Sequence, residues 1–437
     1  MEENQVHIPD GWQKKQVQEF ALKMRSGGTP KSDNPRYYNG EIPFVAIDDL
    51  TSTNKFLEKT QKHITKEGLN NSAAWVVPVN TIMYSIYATL GVPRINLIEA
   101  ATNQAILNII PDESKITLEF LYYLLLEKRS SILAHSAHTT QSNLNAKIVK
   151  ELEFVFPENP TEQTTIARIL SKVDEAITQT EQLIAKYTRI KTGLMQDLLT
   201  KGIDEHGKIR SEKTHTFKDS PLGRIPVEWE CVPLSSLSEI TSGVTLGKKY
   251  EGIGTVELPY LRVANVQDGY LDLSEIKTIR IPVGQVVKYV LKEGDVLMNE
   301  GGDYDKLGRG SVWKGEIESC LHQNHVFKVR LDQDEMLPDF LALYSTSHLG
   351  KRFFLLSSKQ STNLASINKT QLKAFPILKP CPKEQHQIIS TLMKPINIIA
   401  EQSRSLSKLQ SLKTGLMQDL LSGRVRVTHL IQASIPT

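Results

Sequence analysis

The chain has 437 residues, of which 40% are hydrophobic and 23% charged, and its formal net charge at pH 7 is +3. That length can hold two or three cores, and that balance is ordinary for a globular protein. It excludes membrane-spanning helices, because the longest markedly apolar stretch, Phe120 to Leu126, falls far short of the roughly 20 residues a span requires. So mild a charge does not demand a nucleic-acid partner, although it leaves room for a local basic surface.

Residues 1–158 read as a globular part of α+β character, with a strand-like run from Ile42 to Ile47 and an apolar helix from Leu118 to Lys128. The opening residues MEENQVHIPD carry no basic or apolar targeting segment. Cys231, Cys320 and Cys381 are odd in number and lack metal-ligand spacing, which fits a reducing cytoplasm. A helical segment follows at 159–202. Within it Ile166, Leu170, Val173, Ile177, Thr180, Ile184, Tyr187, Lys191, Leu194 and Leu198 alternate in steps of four and three, the seam of a coiled coil. A helix over 162–199 would be roughly 57 Å long at about 1.5 Å per residue, and Gly202 is its stop signal. The polar stretch 203–225 reads as a linker. A second α+β part fills 226–381, with strand-like runs Pro259 to Val263 and His325 to Val329 and an apolar helix from Pro338 to Phe354. The second coil helix, 384–421 within the segment 382–425, carries Pro395 where the first has Val173. It is expected to bend there, since an interior proline costs about 3 kcal/mol. Residues 426–437 form a tail.

The nine residues KTGLMQDLL occur twice, at Lys191 to Leu199 and at Lys413 to Leu421, with 413 − 191 = 222. Glu162-Gln163 and Glu384-Gln385 keep that offset. Ser142-Asn143-Leu144 meets Thr362-Asn363-Leu364 at an offset of 220, and Pro9-Asp10-Gly11-Trp12 meets Pro226-Val227-Glu228-Trp229 at 217. The chain therefore reads as a pseudo-two-fold internal repeat, a globular part and then a helix in each copy. Because each globular part precedes its own helix, an antiparallel coiled coil keeps the linker short, whereas parallel helices would send the chain back their whole length. Antiparallel pairing places one globular part at each end, a symmetry suited to two sites along a DNA duplex.

No catalytic constellation survives inspection. Asn34-Pro35-Arg36-Tyr37 resembles the Asn-Pro-Pro-Tyr loop of amino-methyltransferases, but arginine replaces the second proline and no glycine-rich S-adenosylmethionine loop stands upstream. Gly243 to Lys249 has too short a glycine spacing for a P-loop and no Ser or Thr after the lysine, which leaves only a phosphate contact by Lys248 or Lys249. Pro111 to Lys115 lacks the strand that separates the acids of a nuclease motif, and reads as a surface turn. His322 and His325 would point to opposite faces of a strand, against a metal site. No catalytic residue and no metal ligand are assigned.

With these pieces placed, the chain closely resembles the specificity subunit of type I restriction–modification systems over essentially its full length. The carriers are SGGTP (Ser26 to Pro30), Tyr37-Tyr38-Asn39-Gly40-Glu41-Ile42-Pro43-Phe44, SPLGRIPVEWE (Ser220 to Glu230), GDVLMNEGGDYDKLGRG (Gly294 to Gly310), HQNHVF (His322 to Phe327) and the two KTGLMQDLL segments. The resemblance implies two target recognition domains, each reading one half of a split, asymmetric double-stranded DNA sequence. It implies that the helices act as a ruler and dock two copies of an adenine-N6 methyltransferase subunit, which a restriction motor and nuclease subunit can join. This chain then holds no cofactor, and S-adenosylmethionine, ATP and Mg belong to the partner subunits.

Arginine suits guanine, Asn and Gln suit adenine, and lysine suits phosphate. The DNA-binding candidates in the first domain are Lys31, Arg36, Tyr37, Tyr87, Arg94, Gln141 and Asn143. In the second they are Lys248, Lys249, Arg262, Asn265, Asp303, Tyr304, Lys306, Arg309, Gln360 and Asn363. The loop from Asn299 to Gly310 leads them, because its glycines permit close approach. Asn143 and Asn363 align between halves whose targets differ, so a structural turn or a phosphate contact stands beside base readout. Gln196, Asp197, Gln418 and Asp419, outside the coil seam, are candidates for methyltransferase contact or plain solvated positions. Two other functions stay in view: a related restriction enzyme with a degenerate active site, and a coiled-coil interaction scaffold.

Overall fold

A computed structural model describes residues 8–87, 89–138, 144–247, 254–302, 307–360 and 365–432. The chain divides into two compact units, one of residues 1–181 with 404–437 and the other of residues 182–403. The first unit is thus completed by a segment distant in sequence, while the second is continuous.

In the first unit, strand β1 (Trp12–Gln16) pairs antiparallel with β5 (Glu153–Pro157). The central sheet takes the order β2 (Ala21–Ser26), β4 (Ile106–Pro111), β3 (Ile82–Ser85), followed by two short strands. Helix α1 (Leu118–His138) covers it, and α2 (Ala146–Glu151) precedes β5. The core joins Phe20, Tyr84, Phe120, Tyr123 and Phe156 to Ile166, Leu170, Leu420 and Leu421 of the long helices. These helices are α3 (Pro160–Leu198) and α7 (Pro382–Leu421).

The second unit repeats that strand order. Here β6 (Glu230–Pro233) pairs with β10 (Pro376–Lys379), and the sheet runs β7 (Ser238–Ser242), β9 (Val326–Leu331), β8 (Val296–Asn299). Its core joins Trp229, Phe327, Phe340, Tyr344 and Phe375 to Leu198, Ile388 and Leu392 of the same helices.

Polar side chains at the start of each long helix fix it to its own globular part. The Gln163 amide donates to the carbonyls of Lys115 (3.0 Å) and Pro157 (2.9 Å) and accepts from the Thr117 N–H at 2.7 Å. Gln385 does the same with Glu335, Pro380 and the Leu337 N–H. Both glutamines are fully buried, so each lost bond would leave an unsatisfied group costing about 1–3 kcal/mol. Beside them Glu162 is held by Arg426 at 2.7 and 2.9 Å, and Glu384 by Arg210 at 2.5 and 3.2 Å. The arginine comes in each case from the chain that follows the other helix.

Two sequence expectations change. The stretch 203–225, read as a linker, contains most of a hairpin, Phe217–Ser220 against Gly223–Pro226, and buries Ile203, Arg210, Phe217 and Ile225 in the second unit. Single apolar residues between charges gave it its polar look. The apolar segment 338–354 is two helices, α4 (Pro338–Thr346) and α5 (His348–Ser357), because Ser347 turns extended and caps the second through its Oγ and the Gly350 N–H. Helix α7 continues through Pro395, and Leu392 and Ile396 on either side of it pack in the core.

Candidate functional site

Several backbone segments converge at one end of the sheet in the second unit. Strand β7 ends at Ser242, and the Val244 N–H then donates to the His322 carbonyl at 2.8 Å. A Cβ at Gly243 would lie 1.9 Å from that same oxygen, so only glycine permits this approach. Strand β8 ends at Asn299, and the Glu300 N–H donates to the His325 carbonyl. The Ile367 N–H returns to the Glu300 carbonyl, and Gly301–Gly302 pair antiparallel with Ala365–Ser366. The Asn299 N–H donates to the Arg309 carbonyl at 3.3 Å, closing the loop that leads the sequence candidates.

The sequence candidates sort into distinct environments. Asn265 is buried: its Oδ1 accepts from the Arg262 N–H at 2.8 Å and its Nδ2 donates to the carbonyls of Asp272 (2.8 Å) and Glu275 (3.0 Å). It therefore holds the turn 262–275 and has no amide edge left for a base, which corrects its assignment as a reader. Arg262 lies against Glu275, at 3.3 Å from its Oε1. Arg309 is half-buried and donates through Nη1 to Gln267 Oε1 at 2.9 Å. Lys248, Lys249, Asp303, Tyr304, Lys306 and Asn363 lie outside the described residues, as do Gln141 and Asn143, and Gln360 is described only as part of the short strand Lys359–Gln360.

In the first unit Lys31 and Arg36 are exposed and Tyr37 is half-buried. The Asn34 side chain accepts from the Arg36 N–H at 3.1 Å and caps the turn Pro35–Tyr37, so this motif serves a fold element. Gly68 packs against Tyr37, where a Cβ would lie 2.5 Å from the Tyr37 carbonyl oxygen. Tyr87 is 38% exposed. Arg94 donates through Nε to the Thr53 carbonyl and through Nη1 to the Pro93 carbonyl, both at 2.7 Å. Those bonds hold two of its donors to the scaffold.

Sequence reasoning passed over Lys23, Arg25 and Trp75. The Lys23 ammonium sits 4.2 Å from the Trp75 ring centroid and the Arg25 guanidinium 5.6 Å from it. The Trp75 N–H donates to the Ser26 carbonyl. Alternation along β2 was the available signal, since it sends both cations to one face.

The histidines differ because His322 ends the short strand Leu321–His322, whereas His325 lies in the turn before β9, so the expected alternation along one strand does not apply. His325 is exposed, 2.5 Å from Glu300 through Nδ1. His322 is fully buried with Nδ1 against the Val326 carbonyl at 2.6 Å, and burial pushes it down to about 4. Its folded value lies below the ordinary 6.5, so the unfolded chain binds the extra proton first as pH falls. The stability it supports is present above about 6.5 and is lost as pH falls toward about 4. Urea titrations of His322→Gln are expected to show a shallower loss of stability between those limits than the native chain; equal slopes would refute it.

Among the described residues no cluster of His, Cys, Asp and Glu is fit to hold a metal ion, and no helix is long and apolar enough to cross a membrane. Gln196 and Gln418 are exposed. Asp197 and Asp419, near the ends of the long helices, each hold a cation a turn further on, Lys201 at 2.7 Å and Arg424 at 3.0 Å.

The family pattern described as the type I restriction modification DNA specificity domain matches residues 9–189 and again 226–410. Among curated proteins, the chain is 22% identical to the type I restriction enzyme MjaIX specificity subunit of Methanocaldococcus jannaschii, over 97% of this chain and 95% of that one. It is 24% identical to the MjaVIII specificity subunit of the same organism, with the same coverage. Among solved structures, the S subunit of the type I restriction–modification system from M. genitalium superposes with a TM-score of 0.58 at 16% identity, covering 96% of this chain and 97% of that chain.

Proposed function

The chain belongs to the type I restriction–modification DNA specificity family, a non-catalytic subunit, and from that premise we propose how its parts divide the work. Each globular part reads one half of an asymmetric, split DNA site. The two long helices form an antiparallel coiled coil that docks two copies of an adenine-N6 methyltransferase, through which a restriction motor subunit joins. S-adenosylmethionine, ATP and Mg belong to those partners.

The observation that carries the reading is the convergence in the second unit of the segments after β7, after β8, around His325 and around Ala365. Strand ends and glycines gathered at one sheet end give loops that can enter a major groove about 12 Å wide, on a scaffold fixed by buried aromatics. The repeated strand order supports a duplicated unit, and matched glutamines at the helix starts support it further.

Antiparallel pairing is supported within each unit separately. In the first, Glu162 meets Arg426 and Asp174 meets Lys413 at 2.6 Å, so advancing along one helix means retreating along the other. In the second, Leu194 and Leu198 of α3 share a core with Ile388, Leu392 and Ile396 of α7. The exposed Gln196 and Gln418, with Asp197 and Asp419, stand in like surroundings, as two copies of one partner require.

The test is reconstitution. The purified chain alone is expected to show no methylation, and addition of its methyltransferase is expected to yield N6-methyladenine confined to one bipartite site. Methyl transfer by the isolated chain would refute the reading.

A further inference from the structure

The second unit contains a cavity of about 530 Å³ whose walls include none of the candidate reading residues. It lies on the face of β7 and β9 that turns away from the Phe327 core, between Lys288 and the short helix α6 (Lys369–Lys373). Lys328 and Arg330 stand two residues apart on β9 and therefore share that face. Thr241 and Glu239 stand opposite them on β7. Lys369 and Lys373 are one helical turn apart, and both are exposed.

The charges here are poorly compensated. Lys328 is only 3% exposed, yet its ammonium is held by two backbone carbonyls, Lys288 at 2.9 Å and Val290 at 3.3 Å. Desolvation first, and then neighbouring Arg330, pull its pKa down, the mark of a buried cation short of negative charge. Arg330 is neutralised by Asp295 at 2.7 Å. Lys288, Lys369 and Lys373 enter no ion pair among the described residues. Glu239 is the one carboxylate in the wall.

The first unit keeps the sign of this face with different residues. An offset of 328 − 108 = 220 puts Asn108 at the place of Lys328 and Ile110 at that of Arg330. Opposite them on β2 stand Arg25 and Lys23, the pair that rests on Trp75. Positive charge thus recurs on the same face although its carriers move from one strand to its neighbour. A face that needs charge but no particular arrangement behaves this way, and phosphate contacts, unlike base contacts, have that tolerance. From Ser238 to Ser242 the strand advances about 13 Å at roughly 3.3 Å per residue, comparable to a major groove about 12 Å wide. A duplex entered by the loops beyond Ser242 therefore brings a flanking phosphate to the cavity.

We propose that the cavity between β7, β9 and α6 is a sequence-independent clamp for a phosphodiester of duplex DNA, with Lys369 and Lys373 as phosphate ligands and Lys328 as a fixed charge behind them. The inference rests on the DNA-reading function proposed above. It is tested with the full chain in complex with its methyltransferase, by duplex binding across a salt series. The double variant K369A/K373A is expected to weaken cognate and unrelated duplexes alike, on the order of 10-fold near 0.15 M salt, and to reduce the log–log salt slope by about 1–2. Glu239→Gln is expected to tighten binding, an effect of opposite sign that misfolding would not produce. Unchanged affinity and slope in K369A/K373A, with normal binding by the native complex, would overturn the clamp alone. A loss confined to the cognate sequence would also overturn it, by making these lysines readers. Inorganic phosphate that stabilises the native complex against heat but not the double variant, with DNA affinity unaltered, would reveal a free-anion site and contradict the proposal. Absence of duplex binding by the native complex would overturn the DNA-reading function as well.

Discussion

Arg210→Ala is expected to cost the second unit about 3–5 kcal/mol, because it strands a buried carboxylate. The side chains of Arg210 and Glu384 are 9% and 7% exposed. Besides Arg210, Glu384 accepts from the Trp229 indole N–H at 3.0 Å and the Ile203 backbone N–H at 2.8 Å. Those two bonds remain in the variant, but they cannot neutralise the charge. Gly202 lies against this group with a φ of +66°, and a Cβ there would meet Glu384, Trp229 and Arg210 within 2.6 Å, so the cluster is closely packed on that side. Pairing Arg210→Met with Glu384→Gln removes both charges while leaving an amide oxygen for the Ile203 N–H, and is expected to recover most of the loss. Urea unfolding followed by tryptophan fluorescence reads this directly, since Trp229 belongs to the cluster. A loss below about 1 kcal/mol, the range of an exposed pair, would contradict the buried geometry. The corresponding Arg426→Ala is expected to cost less, because Arg426 is 31% exposed although Glu162 is not.

Arg309→Ala is expected to relax selection in one half of the DNA site while leaving the other half intact. Arg309 stands where the loop from Asn299 closes, anchored by its own carbonyl to the Asn299 N–H and by Nη1 to Gln267. Gly308, just before it, has a φ of +63° and a Cβ there would meet the Phe354 ring, so the backbone that aims Arg309 is fixed. Arginine is the side-chain type that suits a guanine edge, and that is the role proposed here for Arg309. Loss of such a contact is worth about 1–3 kcal/mol, or roughly 5- to 150-fold in discrimination at one base pair. The check is methylation by the reconstituted complex on duplexes substituted base by base through both half-sites. Equal loss at every position would make Arg309 a phosphate or structural residue and contradict its role as reader.

The helices were the most legible elements. A four-and-three spacing over ten positions is a long signal, and helix α3 at Pro160–Leu198 departs from the expected 162–199 by no more than end fraying. The stretch 203–225 misled: Ile203, Phe217 and Ile225 are too sparse to show a period, and only the tertiary fold reveals them as core. In the candidate site, residue type pointed equally to Arg309 and Asn265. Type alone cannot tell that every polar atom of the Asn265 amide is consumed by the turn it stabilises. The basic face of β2 and β9 stayed hidden because its charges are split between strands far apart in sequence.

We propose that each globular part reads its own half of a split DNA site, at which two copies of one methyltransferase act. Mapping N6-methyladenine across a genome that expresses this chain with its methyltransferase tests it most directly. The expected result is one asymmetric bipartite motif, with methylated adenine in both halves and a fixed gap between them. A continuous motif, or methylation independent of this chain, would contradict it.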